Sequence, residues 1–286
     1  MNIEYKDNSM IISGLEHFSL EQCLCCGQAF RWKGEGNGFH GVVLGRVVYA
    51  EQQGDMLTLR GVDESAGKDF IRYFDLERDY GAIKESYAGD PFLSEGMEYA
   101  GGIRVLRQPP FETLISFIIS QNNNVKRISG IIERLCKKYG KPLGEDFDFP
   151  TPEALSCLCD DDLVNCGAGY RAAYISGAAR MVRDGFDLEA VAAMPYAEAR
   201  QKLQELPGVG PKVADCVALY SLGFTEAFPG DVWMKKVLNC VYGFKGSDKK
   251  MREFIDNKFG KNAGLAQQYL FHYARNNRCL FHEEQR

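Results

Sequence analysis

The chain has 286 residues, enough to bury a full core and to hold two domains. Its apolar fraction of 45% and charged fraction of 26% are ordinary for a globular protein, and no apolar run is long enough to span a bilayer. A net charge of −5 excludes indiscriminate DNA binding by a uniformly basic surface, but not phosphate contacts through local patches and backbone amides. The opening residues Met1-Asn2-Ile3-Glu4-Tyr5-Lys6-Asp7 show neither a secretory apolar core nor an Arg-rich transit pattern. An intracellular protein is expected, in a bacterium one of the cytoplasm and nucleoid, with its ten cysteines reduced. Cys23, Cys25, Cys26, Cys157, Cys159 and Cys166 could offer thiolates to zinc, but no paired C-x-x-C layout is present and no metal is expected.

Residues 1 to about 60 alternate apolar and polar residues between glycine turns, which predicts antiparallel strands over Met10–Ser13, Phe30–Lys33, Phe39–Leu44, Arg46–Glu51 and Met56–Arg60. Ser65–Asp75 reads as a helix with Phe70, Tyr73 and Phe74 on one face. From about Phe111 the pattern turns helical. Ile128, Ile131, Ile132 and Leu135 follow the spacing of a half-buried helix, capped by Gly140, and Thr151-Pro152 opens another. Tyr170–Arg183, Lys212–Ser221, Val232–Tyr242, Lys249–Phe259 and Ala263–Asn276 complete the set. The expected fold is α+β: an antiparallel sheet domain over residues 1–102 and an α-helical domain over 103–286.

Within the helical part, Leu206-Pro207-Gly208-Val209-Gly210-Pro211-Lys212 reads as the hairpin of a helix-hairpin-helix. Glu198–Glu205 supplies the first helix, Gly208 and Gly210 the tight turn, and Pro211 the first turn of the second helix. Backbone N–H groups at that helix start suit a nucleic-acid phosphate. A phosphate clamp needs no more than this, and a hairpin alone fits DNA binding without chemistry. Lys212, and Asp231 in Phe228-Pro229-Gly230-Asp231-Val232, add a nucleophile and a carboxylate. A lysine attacks only when neutral, and its ordinary pKa is about 10.4. The helix dipole at Lys212 and partial burial both disfavour the charged form. Asp231 precedes a helix and is expected to cap it while staying ionised. Asp215 is expected to be structural. Two basic runs, 126–141 and 245–261, have the ordinary reading of solvated helix faces.

Leu206–Asp215 together with Pro229–Val232 resembles the helix-hairpin-helix-Gly/Pro-Asp superfamily of DNA glycosylases, in which a lysine at the position of Lys212 marks the members with lyase activity. Three further segments resemble 8-oxoguanine DNA glycosylases: Cys26-Gly27-Gln28-Ala29-Phe30-Arg31-Trp32, Ser120–Ile128 with its Asn122-Asn123-Asn124 run, and Gly169-Tyr170-Arg171-Ala172. With Ala263–Gln267 the likeness runs from about residue 20 to about residue 275.

The resemblance implies a TBP-like sheet domain and a bifunctional glycosylase and abasic-site lyase, acting as a monomer on double-stranded DNA that contains 8-oxoguanine. It implies that Lys212 and Asp231 are catalytic, and that Gly27, in an N-terminal strand, offers its carbonyl to the N7–H of 8-oxoguanine. Phe271 and Cys216 would sandwich the extruded base, Gln267 would read its Watson–Crick edge, and Pro229 would lend a carbonyl. Asn122 would fill the vacated stack, Tyr170 would wedge it, and Arg127 and Arg171 would read the orphaned cytosine. Relatives with an iron–sulfur cluster need four close cysteines after the aspartate. Only Cys240 and Cys279 follow Asp231, so no such cofactor is implied, while a structural cation in the hairpin stays open. Trp233 and Tyr220 depart from the family pattern, where a histidine and a methionine are usual. Three other readings remain: a monofunctional alkylbase glycosylase of the same fold, a non-catalytic hairpin protein, and a zinc module.

Overall fold

The computed structural model describes residues 1–277. Its first part is a six-stranded antiparallel sheet in the order β1-β2-β6-β5-β4-β3. The strands are β1 (Asn2–Lys6), β2 (Ser9–Ser13), β3 (Trp32–Glu35), β4 (Gly38–Val43), β5 (Arg46–Gln53) and β6 (Met56–Arg60). Alternation explains the buried face. Met10 and Ile12 of β2 pair across the ladder with Leu59 and Leu57 of β6, and Val48 and Ala50 of β5 lie on the same side. Two helices cover it, α1 (Leu20–Cys25) and α2 (Glu64–Tyr73), bringing Leu20, Cys23, Phe70 and Tyr73 into one core.

Two departures from the expected strands have local causes. β1 is an exposed edge strand with little apolar alternation to announce it. The strand expected from Phe30 begins at Trp32, because the Phe30 side chain leaves the sheet and is buried in the helical core.

The rest of the chain is helical: α3 (Tyr80–Glu85), α4 (Pro91–Ala100), α5 (Pro110–Ser120), α6 (Val125–Tyr139), α7 (Pro152–Ser156), α8 (Asp160–Asn165), α9 (Ala172–Arg183), α10 (Leu188–Ala192), α11 (Tyr196–Leu203), α12 (Pro211–Val217), α13 (Val232–Tyr242), α14 (Asp248–Phe259) and α15 (Ala263–Asn276). A short hairpin, β7 (Pro142–Leu143) with β8 (Asp146–Phe147), follows α6. Tyr80, Ile83, Leu93 and Ala100 of α3 and α4 pack into this second core, and α4 lies against α15. α12 continues as a π-helical turn over Ala218–Leu222, which ends at Gly223 in the left-handed region.

The seam between sheet and helices is riveted by Arg104. It is 5% exposed and its guanidinium donates to the carbonyls of Glu16, His17, Asp75 and Arg78 while lying 4.3 Å from the Tyr80 ring centroid. Arg31 adds a second tie, to Phe147 O (2.6 Å) and the Glu112 carboxylate (3.2 Å).

Candidate active site

The hairpin is set by backbone geometry. Gly208 has φ of +76°, and a Cβ there would stand 2.6 Å from the Tyr174 side chain. Its carbonyl accepts from Gln121 Nε2 (3.0 Å), which ties the hairpin to the end of α5. Gly210 caps α12, Pro211 fills the first helical position, and Lys212 follows in the first turn. Asp215, one turn on, is 4% exposed and accepts from Tyr196 OH and Arg200 Nε, both at 2.6 Å. It therefore locks α11 to α12, the structural duty expected of it. The Lys212 ammonium lies 5.3 Å from the centroid of the Phe117 ring, which carries it in from α5.

Asp231 caps α13. Its backbone is extended and its Oδ1 accepts from Met234 N at 2.8 Å. The second carboxylate oxygen makes no bond to that helix. Lys212 and Asp231 meet in a cavity of about 550 Å³ that also takes in Ser120, Asn122, Asn123, Trp233 and Lys236. A contiguous cavity of about 340 Å³ shares Lys212, Asp231 and Trp233 and adds Gly27, Phe30, Phe117, Phe271 and Arg275.

Gly27 reaches this second cavity from the sheet side, but not from a strand. It stands in the turn after α1 with φ of +95°, a conformation that side chains avoid. The strand expected here fails because Gln28 is turned inward and fully buried. Gln28 Nε2 donates to Cys23 O (2.9 Å) and Arg104 O (2.8 Å), Oε1 accepts from Leu106 N (3.0 Å), and its carbonyl accepts from Gln108 Nε2 (2.6 Å). The turn that presents Gly27 is thus held by one amide whose polar atoms are bonded to distant backbone.

The rear of the site is built on helix periodicity. Lys212 and Cys216 lie one turn apart on α12, and Phe271 and Gln267 one turn apart on α15. Lys212 and Phe271 line the cavity, whereas Cys216 (1% exposed) and Gln267 (3%) sit a turn deeper behind them. Burial pushes the Cys216 thiol up to about 11, against the pull of the neighbouring Lys212 charge. Pro229 is buried just before Asp231.

At the lip, Asn122 takes a left-handed backbone with φ of +49°, and its Nδ2 lies 3.3 Å from Tyr170 OH. Tyr170 is 58% exposed, so Asn122 and Tyr170 stand side by side on the surface. Arg127 is exposed in the first turn of α6, behind the Asn124 cap. Arg171 differs from the sequence expectation in posture. It is 3% exposed, and its guanidinium donates to the carbonyls of Gln121, Asn122 and Ala168. Here it holds the Asn122 loop in shape.

Sequence reasoning missed Phe117, Arg275 and Ser120 as cavity walls. Phe117 gives no signal because α5 is buried on all sides and carries no amphipathic stripe. Arg275 sits one turn after Phe271, a spacing that would have pointed to it. A separate cavity of about 400 Å³ lies between β4 and α6, and two ion pairs on its wall are His40–Asp146 (3.0 Å) and Lys33–Glu133 (2.8 Å). Among the described residues no three His, Cys, Asp or Glu side chains cluster as a metal site, and no helix is long and apolar enough to cross a membrane. Cys279 lies outside the described residues.

Residues 10–114 match the model of the 8-oxoguanine DNA glycosylase N-terminal domain, and residues 115–261 match that of the HhH-GPD superfamily base excision DNA repair protein. A probable N-glycosylase/DNA lyase of Methanothermobacter thermautotrophicus is 36% identical over 247 residues, covering 77% of this chain and 78% of the relative. The N-glycosylase/DNA lyase OGG1 of Arabidopsis thaliana is 33% identical over 271 residues, 86% of this chain and 74% of its own length. Among solved structures, the Clostridium acetobutylicum 8-oxoguanine glycosylase/lyase bound to duplex DNA with cytosine opposite 8-oxoguanine superposes with a TM-score of 0.93 at 38% identity, covering 97% of this chain and 99% of that one. A 3-methyladenine DNA glycosylase of Archaeoglobus fulgidus shares the fold at a TM-score of 0.77 and 20% identity.

Proposed function

The chain belongs to the HhH-GPD superfamily of base excision DNA repair proteins, with an 8-oxoguanine DNA glycosylase N-terminal domain, and on that premise we propose how its residues work. The protein is a bifunctional DNA glycosylase and abasic-site lyase that removes 8-oxoguanine from duplex DNA. One observation carries the reading: an amine, a helix-capping carboxylate, a positive-φ glycine and an aromatic side chain line one cavity from two domains. One chain supplies all four, so no second copy is needed to complete the site, and we propose that the protein works as a monomer.

The target nucleotide is extruded into the cavity. Asn122 fills the space it leaves, Tyr170 wedges the neighbouring step, and Arg127 reaches the orphaned cytosine. Arg171 joins it only by exchanging its carbonyl partners for the base. Gly208 and Gly210 bring backbone N–H groups at the start of α12 to a phosphate. In the pocket the Gly27 carbonyl accepts from N7–H of 8-oxoguanine, whereas guanine would set a lone pair against it. Phe271 stacks on the ring, and the pocket deepens around the base to bring in the residues now buried behind it: Cys216 on the other face, Gln267 at the Watson–Crick edge and the Pro229 carbonyl.

Lys212 Nζ then forms a bond to C1′ as the C1′–N9 bond breaks, and the base leaves with the electron pair. Asp231 faces the sugar and stabilises the positive charge that develops there. Loss of the amine protons and opening of the sugar ring give a Schiff base. Removal of a C2′ proton expels the 3′ phosphate, and water hydrolyses the imine to release Lys212.

Borohydride reduction during turnover of a duplex containing 8-oxoguanine is expected to yield a covalent protein–DNA complex. A monofunctional alkylbase glycosylase would release base with no such complex, and a DNA-binding module would do neither.

A further inference from the structure

Two side-chain rows descend from the cavity. Lys212, Cys216 and Tyr220 follow one another at four-residue steps down α12 and its π-helical turn, and Phe271 and Gln267 do so on α15. Beneath the cavity the rows meet. Gln268 Nε2 donates to the Tyr220 hydroxyl oxygen and, at 2.8 Å, to Gln267 Oε1. All three side chains are buried, and Gln268 Oε1 has no partner among the described residues. A half-turn of Gln268 would pair that bare acceptor with the Tyr220 hydroxyl proton and leave the NH2 group bare in its place, so the two settings are close in cost.

We propose that Tyr220 and Gln268 form a two-state amide relay that sets which end of the Gln267 amide faces the extruded base. It rests on the reading above that Gln267 meets the Watson–Crick edge, and it names positioning residues which that reading leaves without a role. In the arrangement present, the Gln268 NH2 group occupies Gln267 Oε1, so Gln267 directs its own NH2 group away. Half-turns of both amides give the alternative. Gln268 Oε1 then accepts from the Tyr220 hydroxyl and from the Gln267 NH2 group, and Gln267 Oε1 turns to the cavity.

The two states suit opposite bases. The edge of 8-oxoguanine offers adjacent donors, N1–H and the 2-amino group, and takes the state with Oε1 outward. The edge of 8-oxoadenine offers N1 as an acceptor and takes the state with NH2 outward. The hydroxyl proton of Tyr220 stabilises only the first of these. Burial raises the phenol well above its usual range, so that proton stays in place. Phe117 stacks on the Tyr220 ring with centroids 5.3 Å apart and fixes the hydroxyl at the relay. A methionine at this position could not supply the proton, so Tyr220 is more than a filler of the same space.

The test measures single-turnover excision of 8-oxoguanine and of 8-oxoadenine, with abasic-site cleavage, on the intact protein. Tyr220→Phe and Gln268→Met are each expected to lower the ratio of 8-oxoguanine to 8-oxoadenine excision about tenfold, the scale of one neutral hydrogen bond. Abasic-site cleavage should stay near wild type, since no base occupies the pocket. Gln268→Glu can only accept, so it holds Gln267 with Oε1 outward and should keep the wild-type ratio or exceed it. An unchanged ratio in the first two variants overturns the relay, as does a Gln268→Glu variant that behaves like Gln268→Met. A parallel fall in all three rates would also overturn it, by making the pair mere packing. Gln267→Leu separates the levels: if it keeps full excision, the parent reading of Gln267 fails. If it loses excision while Tyr220→Phe and Gln268→Met do not, only the relay fails.

Discussion

The hairpin at 206–212 and the turn at 26–28 open onto the same site from opposite domains, and they are held by opposite means. The hairpin is shaped locally, by a positive-φ glycine, a glycine cap and a proline within a few residues, with one outside tie from Gln121 to the Gly208 carbonyl. The Gly27 turn is fixed remotely, by one buried glutamine that reaches backbone from residue 23 to residue 106. In the function proposed above, the first carries the reacting amine and the second the damage-reading carbonyl, so that chemistry would ride on a short motif and recognition on how two domains dock.

The comparison breaks most sharply at Lys212. Lys212→Gln is expected to abolish base release and borohydride crosslinking while duplex binding, read by gel shift, stays near wild type. Crosslinking that persists would move the nucleophile elsewhere. Asp231→Asn keeps an N-cap, so its melting temperature should fall little, yet single-turnover excision should slow by more than roughly tenfold because the charge facing the sugar is gone. If the rate holds, Asp231 is only a cap.

The turn should answer differently. At Gly27 the φ of +95° leaves no relaxed place for a methyl group, at roughly 1–2 kcal/mol. Gly27→Ala should weaken 8-oxoguanine excision and largely spare abasic-site cleavage. Gln28→Leu leaves several buried backbone groups unpaired, each costing about 1–3 kcal/mol, and should depress the melting temperature as well as excision. Equal loss of both activities in Gly27→Ala would point to misfolding of the turn rather than to base reading.

The smallest effect sharpens the hairpin side. A Cβ at Gly208 collides with Tyr174, so Gly208→Ala should cost roughly 1–3 kcal/mol in thermal unfolding. At Gly210 it meets open space and φ is negative, so Gly210→Ala should cost no more than about 1 kcal/mol, the loss of a cap. Equal losses at both would show that the turn is not held as described.

This contrast also explains what was legible in the sequence. Strands β2, β4, β5 and β6 follow from alternation, α6 from its 3.6-residue stripe, and the hairpin from its punctuation. β1 escaped because an exposed edge needs no apolar signature, and α3 and α4 escaped because short helices bury only a few side chains. Lys212, Asp231 and Asn122 could be named from local motifs. The Gly27 turn reads as a strand in the sequence because its shape is dictated by Gln28, and nothing in Gly-Gln-Ala-Phe reveals a partner some 80 residues away. Phe117 was invisible for a related reason, since a helix apolar all round does not mark which face meets a ligand. Arg171 was recognisable as a residue but not in posture: a sequence cannot show that a guanidinium has three carbonyls to serve.

Arg104 has one more consequence. Its guanidinium donates from all three of its nitrogens, and its four carbonyl acceptors come from two segments of the sheet domain. Pulled apart, one side would leave an unpartnered cation and the other four unpartnered dipoles. Parting the segment after α4 from the sheet domain at this point is therefore costly. Because Arg104 also lends its own carbonyl to Gln28 Nε2, the segment it pins to the sheet domain is the same one that steadies the turn carrying Gly27.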